Sequence, residues 1–166
     1  MRLRKLELKD ALGMLEWMHD PGVVAHMGTN FEEKTVEDCE AFITASLCDE
    51  ENLHLAVVDE EDLYMGTVSL KHIDKVHGTA EFAITVRASA MGRGFSRFGM
   101  ESILKTGIHC LGLKAIYWCV SPENSRAVRF YDKNGYTRVC KVPQRVLAPY
   151  PADMALYWYV YPGEMK

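Results

Sequence analysis

Two stretches of the chain hold residue types and spacings that could do chemistry. In VRASAMGRGFSRFGMES, Gly92 and Gly94 lie among Arg87, Arg93 and Arg97 where a strand ends and a helix begins. A strand running through a glycine turn into a helix aims unpaired backbone N–H groups, and the positive end of the helix dipole, at one point. Phosphate is drawn to such a point. Gly92 and Gly94 lack a Cβ, so a pyrophosphate could approach the main chain closely, with Arg93 adding charge-assisted contacts at the rim. The other reading of the same residues is an ordinary tight turn. A P-loop is disfavoured, because no Lys-Ser or Lys-Thr pair comes directly after Gly94, and Lys34-Thr35 and Lys105-Thr106 lack the glycine framing. The dinucleotide fingerprint G-x-G-x-x-G fails at its third glycine, where Arg97 stands.

About thirty residues on comes VSPENSRAVRFYDKNGYTRV. Asn124 and Tyr131 are seven residues apart, about two helical turns, which places both side chains on one helix face roughly 10 Å apart. The elements around these stretches follow from periodicity. RLRKLEL alternates like a half-buried strand, and Asp10 stands at a cap position ahead of Leu12, Leu15 and Met18. Thr35 and Asp38 form a capping box before VEDCEAFITASL. LHLAVVD, YMGTVSLKHI and TAEFAITVR read as an antiparallel meander. A long helix follows the glycines and stops at Gly112; then come a strand KAIYWCV, a short helix closed by Asn134-Gly135, and strands in YTRVCKV and MALYWYVY. The order β-α-α-β-β-β-α-β-α-β-β predicts an α+β fold with helices on the faces of a mixed sheet.

At 166 residues, 48% of them apolar, the chain fits a single domain spanning 1–166. A formal charge of −4 and the absence of a basic tail speak against nucleic acid, and no segment is long and apolar enough to span a membrane. A cytoplasmic location is expected. Five cysteines at 39, 48, 110, 119 and 140 include no C-x-x-C pair, so they are expected to be reduced core residues, with no metal site.

The combination of glycine turn and downstream helix resembles the GNAT superfamily of acetyl-CoA-dependent acyltransferases, in particular its ribosomal-protein N-terminal, spermidine and amino-sugar acetyltransferase branch. The family's turn reads Q/R-x-x-G-x-G/A. Here Gly94 fits its central glycine, while Met91 stands in the polar place and Ser96 in the small one. The family's later asparagine and small residue, with Tyr-(Glu/Asp)-Lys-x-Gly-(Phe/Tyr), match Asn124, Ala127 and Tyr131 to Tyr136.

The resemblance implies a mixed, mostly antiparallel seven-stranded sheet, splayed between strands 4 and 5, with about four helices. It implies that acetyl-CoA, as co-substrate, is held by Ile84, Thr85 and Val86, by the turn Met91, Gly92, Arg93, Gly94, Phe95 and Ser96, and by Asn124 and Tyr131. Tyr131 would then protonate the departing thiolate. Glu81 is the candidate base for the amine, with His72 a second candidate acting through water. The implied reaction is direct acetyl transfer to a primary amine in a ternary complex; a non-catalytic acyl-CoA-binding or sensor module is the alternative. Glu32, Glu33, Asp38 and Asp153 could receive a cationic acceptor such as a polyamine or peptide N-terminus. Arg145 with Tyr150 suits a nucleotide-linked amino sugar, and aminoglycosides complete the set. The run ALYWYVY is expected in the sheet core, and as the edge of a possible homodimer.

Overall fold

The computed structural model describes residues 1–163. Strands β1 (Arg2–Lys5), β2 (Leu53–Val58), β3 (Tyr64–Asp74), β4 (Thr79–Val86), β5 (Ala115–Val120), β6 (Thr137–Val139) and β7 (Tyr157–Pro162) form one sheet in the order β1-β2-β3-β4-β5-β7-β6. Every neighbouring pair is antiparallel except β4 and β5. Helices α1 (Ala11–Met18), α2 (Pro21–Val24), α3 (Val36–Ser46), α4 (Phe95–Lys105), α5 (Ser125–Lys133) and α6 (Gln144–Leu147) cover it.

The strands alternate, and each face buries its own set of side chains. Val57, Val68, Leu70, Phe82, Ile116 and Trp118 pack with Met100, Ile103 and Leu104 of α4. Ala56, Val58 and Tyr64 face the other way, against Met14 and Trp17 of α1 and Cys39 and Ile43 of α3.

The expected seven strands are present, and the helix number is corrected from about four to six among the described residues. The two additions, α2 and α6, are single turns of four residues, too short to carry a 3.6-residue pattern. The Thr35–Asp38 capping box closes as expected: Asp38 N donates to Thr35 Oγ1 (3.3 Å) and Thr35 N to Asp38 Oδ2 (2.9 Å). Asp10 precedes α1, yet its buried carboxylate makes no cap bond there. It accepts instead from both terminal nitrogens of Arg4 (2.7 and 2.8 Å) and from Glu7 N (2.9 Å), because a buried carboxylate is best satisfied by a forked cation. ALYWYVY does enter the core, with Trp158 and Tyr159 buried, but β7 lies between β5 and β6 and is not a sheet edge. Only Cys39 of the five cysteines is fully buried; Cys48, Cys110 and Cys140 are exposed, and all five are free.

Candidate functional site

The site begins with a gap in the sheet. β4 pairs with β3 as far as Val86, whereas it pairs with β5 only at Thr79, Ala80 and Glu81. Beyond Glu81 the two parallel strands part, leaving the β5-facing backbone of residues 82–86 without a ladder partner. The gap is part of a groove of about 1050 Å³, lined at this level by Ile84, Thr85 and Val86. Unpaired strand backbone at the wall of a groove is a ready hydrogen-bonding edge for an extended, amide-bearing ligand.

The glycine turn closes one end. Gly92 and Gly94 have φ of +73° and +87°, a left-handed conformation that glycine adopts without steric cost. Gly94 occupies the N-cap position of α4, without a capping side chain. The N–H groups of Met91 and Arg93 are turned inward to Ala88 O (3.1 Å) and Ala90 O (3.3 Å). Those of Gly92, Gly94, Phe95 and Ser96 have no backbone acceptor among the described residues, as befits a helix start. Of the turn residues, Met91, Gly92 and Ser96 line the groove. Phe95 is core, and the Arg93 guanidinium lies over its ring at 5.3 Å while donating to Ser89 O. The cluster of free amides at a helix N-terminus fits a diphosphate, so the residues present suit acetyl-CoA. Arg126 of α5 reaches the same place, with Nη1 3.0 Å from Met91 Sδ.

The α5 stretch does two things at once. Asn124 Oδ1 caps the helix by accepting from Ala127 N (3.2 Å), which starts it at Ser125 and so turns Tyr131 into the groove. Tyr131 is 7% exposed and set among aromatic rings, with Trp118 at 5.5 Å and Tyr159 at 5.1 Å between centroids. Its hydroxyl has no hydrogen-bond partner among the described residues, and it is not one of the sealed, unpartnered atoms, of which Trp118 Nε1 is the one found. The phenol tip therefore opens on the groove. Burial raises the Tyr131 pKa well above the ordinary phenol value, helped by neighbouring Tyr159 and Cys119, and keeps the group protonated.

Glu81 sits where β4 and β5 separate. It is 6% exposed and lies in register with Lys71 on β3 and with Tyr117 on β5. Tyr150, from the segment between β6 and β7, donates its hydroxyl to Glu81 Oε1, and Lys71 Nζ lies 3.6 Å from the same oxygen. Glu81 lines both the groove and a smaller cavity of about 190 Å³ behind it, where His72, Asp74 and Arg145 are found.

Ten of the residues expected from the sequence thus meet in one groove: Glu81, Ile84, Thr85, Val86, Met91, Gly92, Ser96, Asn124, Tyr131 and Tyr150. Arg93, Gly94 and Phe95 shape the turn from outside the groove lining. His72 belongs to the small cavity, and Arg145 is paired with Asp74 (3.6 Å) there rather than with Tyr150. Glu32, Glu33, Asp38 and Asp153 do not line the groove; Asp38 is a helix cap. Lys71, Cys119 and Arg126 were not identified from the sequence as site residues, and Tyr150, expected beside Arg145, instead meets Glu81. Lys71 was readable in principle, as the cross-strand partner of Glu81 once the β3–β4 register is fixed. No local pattern marks the contact of Tyr150 with Glu81, which the chain brings together across 69 residues.

The acetyltransferase (GNAT) domain family matches residues 1–137. The uncharacterised N-acetyltransferase p20 of Bacillus licheniformis is 28% identical over 83% of this chain and 79% of its own length. The spermidine N(1)-acetyltransferase of Vibrio cholerae is 30% identical over 64% of this chain and 62% of its own. The crystal structure of spermidine N-acetyltransferase from Vibrio cholerae in complex with CoA and spermine superposes with a TM-score of 0.79, covering 97% of this chain and 94% of that one at 20% identity. The chain belongs to the GNAT acetyltransferase family and is an acetyl-CoA-dependent N-acetyltransferase.

Proposed function

We propose that this groove catalyses direct transfer of an acetyl group to a primary amine, with Tyr131 as general acid and Glu81 as base. The observation that carries the reading is the meeting, in one groove, of splayed strand backbone, unpartnered helix-start amides, a phenol with a free hydroxyl and a buried carboxylate. In this assignment the free amides of Gly92, Gly94, Phe95 and Ser96, with Arg126 beside them, hold the diphosphate. The free edge at Ile84 to Val86 and the Asn124 amide nitrogen hold the pantetheine arm. Bound acetyl-CoA supplies the activated thioester.

The amine lone pair forms the new C–N bond as the C–S bond breaks, and both protons need a destination or a source. Tyr131 donates its hydroxyl proton to the departing sulfur. The desolvation that raises its pKa also raises that of a thiolate forming beside it, so the two stay close enough for proton transfer. Glu81 takes the amine's proton, directly or through a water.

The printed function of the Vibrio cholerae relatives makes spermidine the first acceptor to test, ahead of amino sugars, aminoglycosides and peptide N-termini. The test is free-thiol release from acetyl-CoA across that panel, with calorimetry of acetyl-CoA binding alongside. Turnover with at least one amine supports the reading. Tight coenzyme binding without turnover on any of them would instead favour a non-catalytic acyl-CoA sensor.

A further inference from the structure

We propose that Tyr150 is a positioning residue for Glu81: its hydroxyl occupies one carboxylate oxygen, leaving the other to face the acceptor amine. The inference rests on the reading of Glu81 as the base.

A carboxylate as deeply buried as Glu81 must be matched by donors, since an unpaired buried charge is expensive. Among the described residues one hydrogen-bond donor, the Tyr150 hydroxyl, addresses Oε1, and Lys71 Nζ pairs with the same oxygen as an ion at 3.6 Å. Oε2 accepts no hydrogen bond among the described residues and is not among the sealed, unpartnered atoms, so it reaches open space. The carboxylate thus has one oxygen anchored and one presented.

Tyr150 is built to stay in place. Pro149 and Pro151 flank it, its N–H donates to Leu147 O at 2.9 Å, and its ring meets Trp158 edge-on at 5.2 Å. Burial, followed by the Glu81 carboxylate itself, raises its pKa far above the phenol range, so it acts toward Glu81 only as a donor. A donor to the charged form favours that form; removing it raises the carboxyl pKa. The other titratable or charged groups around Glu81 are Lys71, His72 and Asp74 of β3, Tyr117 and Cys119 of β5, and Arg145 of α6. Among the described residues none of them hydrogen-bonds the carboxylate, and Lys71 is the one that pairs with Oε1 as an ion.

The experiment is the pH profile of kcat/KM for Tyr150→Phe and Glu81→Gln, measured with whichever acceptor turns over in the wild type. Phenylalanine keeps the ring on Trp158 and removes only the donor. The acidic limb should vanish in Glu81→Gln, and should move up by about one pH unit in Tyr150→Phe, a loss of about tenfold in kcat/KM at a fixed pH on that limb. The acetyl-CoA dissociation constant should be unchanged in Tyr150→Phe. A 13C NMR titration of the Glu81 carboxyl carbon, without substrates, should show the same upward displacement. If Glu81→Gln removes the limb while Tyr150→Phe leaves both the limb and the NMR titration in place, the role given to Tyr150 is wrong and the base stands. If the limb survives in Glu81→Gln, the base assignment itself falls, and this inference with it.

Discussion

Tyr131→Phe separates chemistry from architecture more cleanly than any other change in this groove. The hydroxyl has no hydrogen-bond partner among the described residues, while the ring is packed against Trp118, Phe130, Tyr136 and Tyr159. Phenylalanine keeps every one of those ring contacts. Stability should therefore change by no more than about 0.5 kcal/mol, which in a domain of this size is a melting shift under about 2 °C. Catalysis should fall by about 10²-fold, or about 2.7 kcal/mol, because the departing sulfur loses its proton source. The assay is thiol release at saturating acetyl-CoA and acceptor, with calorimetry for coenzyme binding and a thermal melt on the same preparation. The expected pattern is a low kcat at unchanged coenzyme affinity and unchanged melting temperature. A wild-type kcat would refute the acid role, and a loss matched by equally weaker acetyl-CoA binding would turn Tyr131 into a binding residue.

Lys71→Met should lower KM for a cationic acceptor about fivefold, because it removes about 1 kcal/mol of repulsion beside Glu81; an unchanged or higher KM in steady-state kinetics would contradict entry of the acceptor as a cation. Gly66→Ala should destabilise by about 1–3 kcal/mol and weaken acetyl-CoA binding, since a Cβ there would lie 2.5 Å from Thr85 O and push β4 at the level of the coenzyme gap; a thermal melt and calorimetry check both effects. Asp62→Asn isolates the ion cluster with Arg2, Arg4 and Lys9 at an unaltered backbone, because asparagine tolerates the φ of +66° found there. Contacts with Lys9, then Arg4, lower the Asp62 pKa from 3.8 to about 2, so its stabilisation is complete above the ordinary carboxylate range and is lost as pH falls through about 2. Wild type should therefore be more stable than Asp62→Asn in urea melts at pH 7, with the gap closing between about pH 4 and pH 2; a gap independent of pH would rule out the linkage.

What could be read from the sequence divides along a physical line. The glycine turn and the placing of Tyr131 were legible because each depends on neighbours a few residues away: positive φ at Gly92 and Gly94, and two helical turns from Asn124 to Tyr131. The seven strands were legible from alternation in RLRKLEL and from β-rich composition elsewhere. Short turns such as α2 and α6 were not, since four residues hold no period. The acceptor end was the least legible part, because its decisive contacts cross the chain. Glu81 was named from its strand, yet what governs it is Lys71, ten residues back across a hairpin, and Tyr150, 69 residues on. The acidic residues that composition offered for a cationic substrate are outside the groove lining, and the carboxylate at its acceptor end is already shared between a phenol and an ammonium. If Glu81 is the base, as proposed above, recognition of the acceptor turns on how that shared charge is released to the incoming amine, a property of tertiary packing at one buried oxygen pair and not of any local motif.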